Sequence, residues 1–85
     1  MMTIEQLKEV MKFQLTNFND EGVKINDDTV HNTILKTDDG FDHVNSVQLY
    51  KDVIRFTLIK QGLQDKAWPN NWLDLNVQQL AEILI

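Results

Sequence analysis

The chain has no cysteine, a single proline and three glycines among its 85 residues. Without thiols it forms no disulfide and offers no sulfur ligand to a metal, and nothing follows about its compartment. With so few backbone breakers, the expected structure is one of helices joined by loops. Positive charge is also sparse: eight Lys and Arg stand singly against thirteen Asp and Glu, for a net charge of −5. Proteins that bind nucleic acid draw much of their affinity from neutralising phosphates with a basic face, so DNA and RNA are not expected as partners. Long apolar runs are missing as well. No stretch approaches the roughly 20 residues that cross a bilayer. Met1 to Leu15 is interrupted by Glu5, Lys8, Glu9 and Lys12, where an export signal needs an uncharged apolar run. No membrane partner and a cytoplasmic location are expected.

Any recognisable set of catalytic groups is absent too. There is no catalytic triad, no glycine-rich phosphate loop and no pair of carboxylates in a defined setting, so intrinsic enzyme activity is not expected. What is present is an ordinary balance for a folded domain, 42% hydrophobic and 25% charged, too apolar for a disordered chain. Residues 1–85 fit one domain with a single modest core. The acidic balance suits protein partners with basic docking patches, or serves only to keep a small protein dispersed.

Hydrophobic spacing predicts a first helix over residues 3–16. Thr3 with Gln6 three positions on is a capping-box pattern, Ile4, Leu7, Val10, Met11, Phe13 and Leu15 recur near helical spacing, and Glu5, Lys8, Glu9 and Lys12 lie mostly opposite. Residues 17–27 read as a loop rich in Asn, Asp and Gly, pinned to the core by Phe18, Val23 and Ile25. A short helix is expected from Asp28, as N-cap, through Leu35. The turn Asp38-Asp39-Gly40 then leads into the longest helical pattern, Asp42 to Gln61, capped by Asp42 and ended by Gly62. Its apolar face is read as Val44, Val47, Leu49, Tyr50, Val53, Ile54, Phe56, Leu58 and Ile59. Residues 63–74 are expected to be irregular, with a turn at Pro69 bracketed by Trp68 and Trp72. The last helix spans Asn76 to Ile85, with Val77, Leu80, Ala81, Ile83 and Leu84 facing inward.

Asp39-Gly40-Phe41-Asp42-His43-Val44 lies over a Leu-Gly-x-Asp-Ser-Leu pattern, and Leu75-Asn76-Val77-Gln78-Gln79-Leu80-Ala81-Glu82-Ile83-Leu84 over a Thr-Val-x-Asp-Leu-x-x-x-Ile pattern. With Val47, Leu49, Tyr50 and Val53 between them, these segments make the chain resemble the acyl and peptidyl carrier proteins. The resemblance covers most of the chain and implies an all-α, four-helix carrier-like bundle. It also implies a 4′-phosphopantetheine arm, loaded by a phosphopantetheinyl transferase, that holds intermediates as thioesters for acyl-processing enzymes. Gly40, Asp42 and His43 are then the motif positions, with His43 where the family has the serine that takes the arm. An imidazole does not hold that phosphodiester stably. A second register through Asn45-Ser46-Val47 restores a serine at Ser46, but it puts Asp52 on the buried stripe and moves Gly40 from its place. The docking surface implied by the resemblance is the central helix, through Val44, Val47, Gln48, Lys51, Asp52 and Arg55.

Two functions follow as expectations. One is a carrier that shuttles thioester intermediates if Ser46 is modified, and otherwise an interaction module built on the carrier scaffold. The other is a small acidic inhibitor of the immunity, antitoxin or phage-encoded type, which the acidity and the two tryptophans suit. His31 and His43 read as surface residues, since catalysis needs a neighbour to orient the ring. Trp68 and Trp72 read as core or lid in preference to a binding hot spot. Asn17, Asn19, Glu21, Gly22 and Asp28 only faintly echo a calcium loop, so no metal site is assigned.

Overall fold

A computed structural model describes the backbone of residues 1–35 and 41–85 and the side chains of 1–35 and 46–85. The expected turn at Asp38, Asp39 and Gly40, and the side chains of Asp42, His43 and Val44, lie outside the described residues. The described residues form a small all-α bundle: α1 (Ile4–Thr16), α2 (His31–Ile34), α3 (Phe41–Lys60), a 3₁₀ turn (Trp72–Asp74) and α4 (Val77–Leu84). No helix among the described residues is long and apolar enough to cross a membrane.

Local chemistry explains the element ends. Thr3 accepts from the Gln6 N–H while the Gln6 side chain accepts from Thr3, closing the capping box of α1. Asn76 and Gln79 build the same box on α4. The other two donors in the first turn of α4 are met by a distant segment: Val77 N–H donates to the Thr29 carbonyl and Gln78 N–H to that of Asp27, both at 3.1 Å. Residues 27–31 therefore run antiparallel beside 75–78, with an isolated bridge between Val30 and Asn76. That pairing displaces the expected start of α2. Val30 is the N-cap and is extended, and Asp28 instead donates its N–H to Asn26 Oδ1 in a local turn. Gly62, at φ 78°, ends α3: its N–H reaches the Ile59 carbonyl and the Leu63 N–H reaches that of Leu58, both at 3.0 Å.

The core joins Leu7, Met11 and Leu15 of α1 to Tyr50, Ile54 and Leu58 of α3 and to Val77, Leu80, Ala81 and Leu84 of α4. Phe18, Val23 and Ile25 pack against it from the loop, as their positions predict. Two corrections concern the faces of α1. Phe13 points outward, and Lys8 is buried. The Lys8 ammonium donates to Glu5 Oε1 (2.8 Å), Asp27 Oδ2 (2.9 Å) and Gln78 Oε1 (2.6 Å), so all three protons are used. Lys12 takes the other oxygen of Asp27 at 2.8 Å and Glu9 at 2.9 Å. One carboxylate thus ties α1 to the loop that feeds α2, and Lys8 carries the tie on to α4. In α4 a third correction is Ile83, which is exposed instead of facing inward.

Candidate functional site on the third helix

α3 is 20 residues long and carries apolar side chains around most of its circumference. Among the described residues, one stripe is buried in the core. Tyr50, Ile54 and Leu58 are buried and Val47 packs beside them, at steps of three and four residues. Leu49, Phe56 and Ile59, expected in that same face, are on the outside: Leu49 is 56% exposed and Phe56 65%. At about 100° per residue, Leu49, Val53, Phe56 and Lys60 form a second stripe, well round the helix from the first. With Asp52 and Thr57 they line an open groove of about 420 Å³. Thr57 turns its hydroxyl back to the Val53 carbonyl at 2.9 Å, which leaves its methyl as part of the groove wall.

The docking residues expected from the sequence lie beside this groove, and the fold already occupies several of them. Arg55 grips Asp65 through Nε (3.1 Å) and an Nη nitrogen (2.6 Å), which holds its guanidinium more basic than usual and the Asp65 carboxyl below the usual carboxylate range. Lys51 stands 5.6 Å from the ring of Trp68. Gln48 donates to Asp52 at 2.9 Å. These contacts fasten the segment after α3 against the helix. Val47 belongs to the core edge. Ser46 is half-buried inside α3, more than one turn past its first residue at Phe41. Gly40 and the side chains of Asp42, His43 and Val44 fall outside the described residues.

His31 overturns its expected surface position. It is fully buried, with Nδ1 2.9 Å from the Leu75 carbonyl and Nε2 2.9 Å from the Tyr50 hydroxyl. A carbonyl can only accept, so Nδ1 carries the proton and the Tyr50 O–H donates to Nε2. Burial lowers the His31 pKa and raises that of Tyr50 well above its ordinary value, so both groups stay neutral. The Leu75 carbonyl also accepts from the His31 backbone N–H at 3.1 Å, so one residue clamps it twice. Trp72 stacks on Tyr50 with centroids 6.0 Å apart, and Trp68 meets Trp72 edge-on at 4.8 Å. With both nitrogens engaged and no exposure, His31 is a structural residue. Trp72 is likewise core and offers no binding hot spot. In the loop likened to a calcium site, Asn19 spends its side chain on both backbone groups of Val23. Among the described residues no group of three His, Cys, Asp or Glu side chains could hold a metal ion.

The chain matches no protein-family model, no curated protein and no solved structure. The candidate site therefore stands on its own chemistry: an open, shallow groove along α3, lined by Leu49, Val53 and Phe56, with the Asp52 carboxylate and the Lys60 ammonium beside them. The signal that would have found it was in the sequence, since the nine apolar residues assigned to one face of α3 span more arc than a single helix face covers.

Proposed function

We propose that the chain is a carrier-like helical module that acts by protein recognition through α3, with no catalysis of its own and no prosthetic arm. The observation that carries this reading is the stripe of exposed Leu49 and Phe56 with half-buried Val53 between them, on a helix whose fold buries a different stripe. The order of a long first helix, a polar loop, a long central helix, an irregular segment and a short last helix supports the carrier likeness. The attachment chemistry argues against loading. In the register that keeps the glycine, the residue at the serine position is His43, and Ser46 is a mid-helix serine, half-buried.

Co-expression with a broad-specificity phosphopantetheinyl transferase, followed by intact mass, tests the absence of the arm. The expected product has the mass of the unmodified chain. A gain of one phosphopantetheine that disappears in Ser46→Ala would restore the carrier reading. The inhibitor alternative loses Trp72 as an exposed anchor, since that side chain is in the core.

A further inference from the structure

We propose that the exposed stripe of α3 pairs with the same stripe of a second copy of this chain, the two helices running antiparallel. The inference rests on the reading of α3 as a recognition face and names its partner. Leu49, Val53, Phe56 and Lys60 are four, three and four residues apart, the alternation of a two-stranded coiled-coil seam, and Asp52 and Thr57 flank them as the groove walls. Each copy offers one stripe and a two-fold axis makes it self-complementary.

Charge placement chooses the direction. Set antiparallel about a point between Val53 and Phe56, each Val53 meets the second copy's Phe56. Leu49 then lies along the alkyl stem of the second copy's Lys60, and the ammonium of that lysine arrives within one turn of Asp52. The two-fold axis repeats the contact, so both ends close with opposite charges. In a parallel pair Lys60 would face Lys60 across the seam, with no carboxylate opposite. Both charged groups are accessible: Lys60 is exposed, and the side chain of Asp52 is 48% exposed beside Gln48 and Arg55. Nothing in the buried core has to move, because Tyr50, Ile54 and Leu58 face the other way. The seam is only about two heptads long, so the pair is weak and forms as concentration rises.

Sedimentation velocity of the full chain at physiological salt, over a wide range of concentration, measures the pairing. A shift from monomer mass towards dimer mass is expected. Phe56→Ser should weaken the dimer roughly tenfold or more while leaving the helical circular dichroism and the melting temperature in place. Asp52→Lys and Lys60→Asp should each weaken it by roughly two- to fivefold, and the double exchange should restore it. In a parallel pair Lys60→Asp would bring no such restoration. Monomer mass at every concentration overturns the proposal and leaves the face to a protein of different sequence. A dimer indifferent to Phe56→Ser, or one that the double exchange fails to restore, also overturns it. The intact-mass measurement is independent, so loss of the dimer and loss of the arm-free reading are told apart.

Discussion

Replacing Tyr50 with phenylalanine takes one hydroxyl out of the core and leaves His31 Nε2 without a donor. An unpaired buried acceptor costs about 1–3 kcal/mol, so Tyr50→Phe should lower stability by an amount in that range. His31→Leu should cost at least as much, because it strands the Tyr50 hydroxyl and removes the ring from the Leu75 carbonyl. Made together, the two changes leave no stranded partner between them. The double variant is therefore expected to lose less than the sum, with a coupling of about 1 kcal/mol in a denaturant-melt cycle. Strict additivity would mean that the 2.9 Å contact contributes nothing. The same pair sets a pH dependence. Burial lowers the folded pKa of His31 below its unfolded value, so on acidification the unfolded chain takes up the proton first. Stability from this residue is thus fully present above roughly pH 6.5, falls as pH drops towards the folded pKa, and is level below it. Asp27, held low by Lys12 and Lys8, and Asp65, held low by Arg55, lose their share only when pH falls below about 4, where unfolded carboxylates protonate. Thermal melts from neutral pH down through the His31 window, stopping above the carboxylate window, should show a fall in stability that the double variant, which has no His31, lacks.

At the scale of the helix, the end of α3 and the start of α4 can be tested one residue at a time. Gly62 has a positive φ and nothing within 4 Å of where a Cβ would stand, so Gly62→Ala should cost about 1 kcal/mol from backbone strain alone. Asn76→Ala and Thr3→Ala each remove a capping-box side chain worth about 1 kcal/mol, and each should lower stability by roughly that amount. The two faces of α3 should respond in opposite ways. Ile54→Ala, at a fully buried position, is expected to cost about 2–5 kcal/mol, whereas Phe56→Ala should stay within about 0.5 kcal/mol. Similar losses at both positions would contradict the assignment of faces. The capping boxes and the glycine stop were legible in the sequence because each is written within a few residues of its own helix. The faces of α3 were legible only in part: nine apolar residues are too many for one helix face, but which of them are buried is decided by the side on which the other elements pack, and that is not written within the helix. His31 was not legible, since its ring is held by residues 19 and 44 positions away. Lys8 looked like a solvated charge because Asp27 and Gln78, which bury it, come from separate parts of the chain.

The whole bundle depends on its last eight-residue helix more than that length suggests. A helix this short does not hold itself in water, yet Val77, Leu80, Ala81 and Leu84 are all buried against α1 and its neighbours. Burying the two leucines and the valine contributes about 1.5–3 kcal/mol each, or about 5–9 kcal/mol together. A domain of this size is stable by only about 4–13 kcal/mol at roughly 0.05–0.15 kcal/mol per residue. Loss of α4 would also uncover Leu7 and Met11 and strip Lys8 of its Gln78 acceptor. It would remove the antiparallel contact that orders residues 27–31 and leave the His31 backbone only the truncated end at Leu75. Residues 1–75 alone should therefore show no cooperative thermal transition, where the full chain shows one. A cooperative melt of the shortened chain would mean that α1 and α3 hold a core by themselves. In that case the clamp at Leu75 and the Lys8 network would be consequences of folding and not conditions for it. The physical expectation is the reverse: α4 closes the core that α1 and α3 leave open, and the clamp at Leu75 and the Lys8 network form only with it in place.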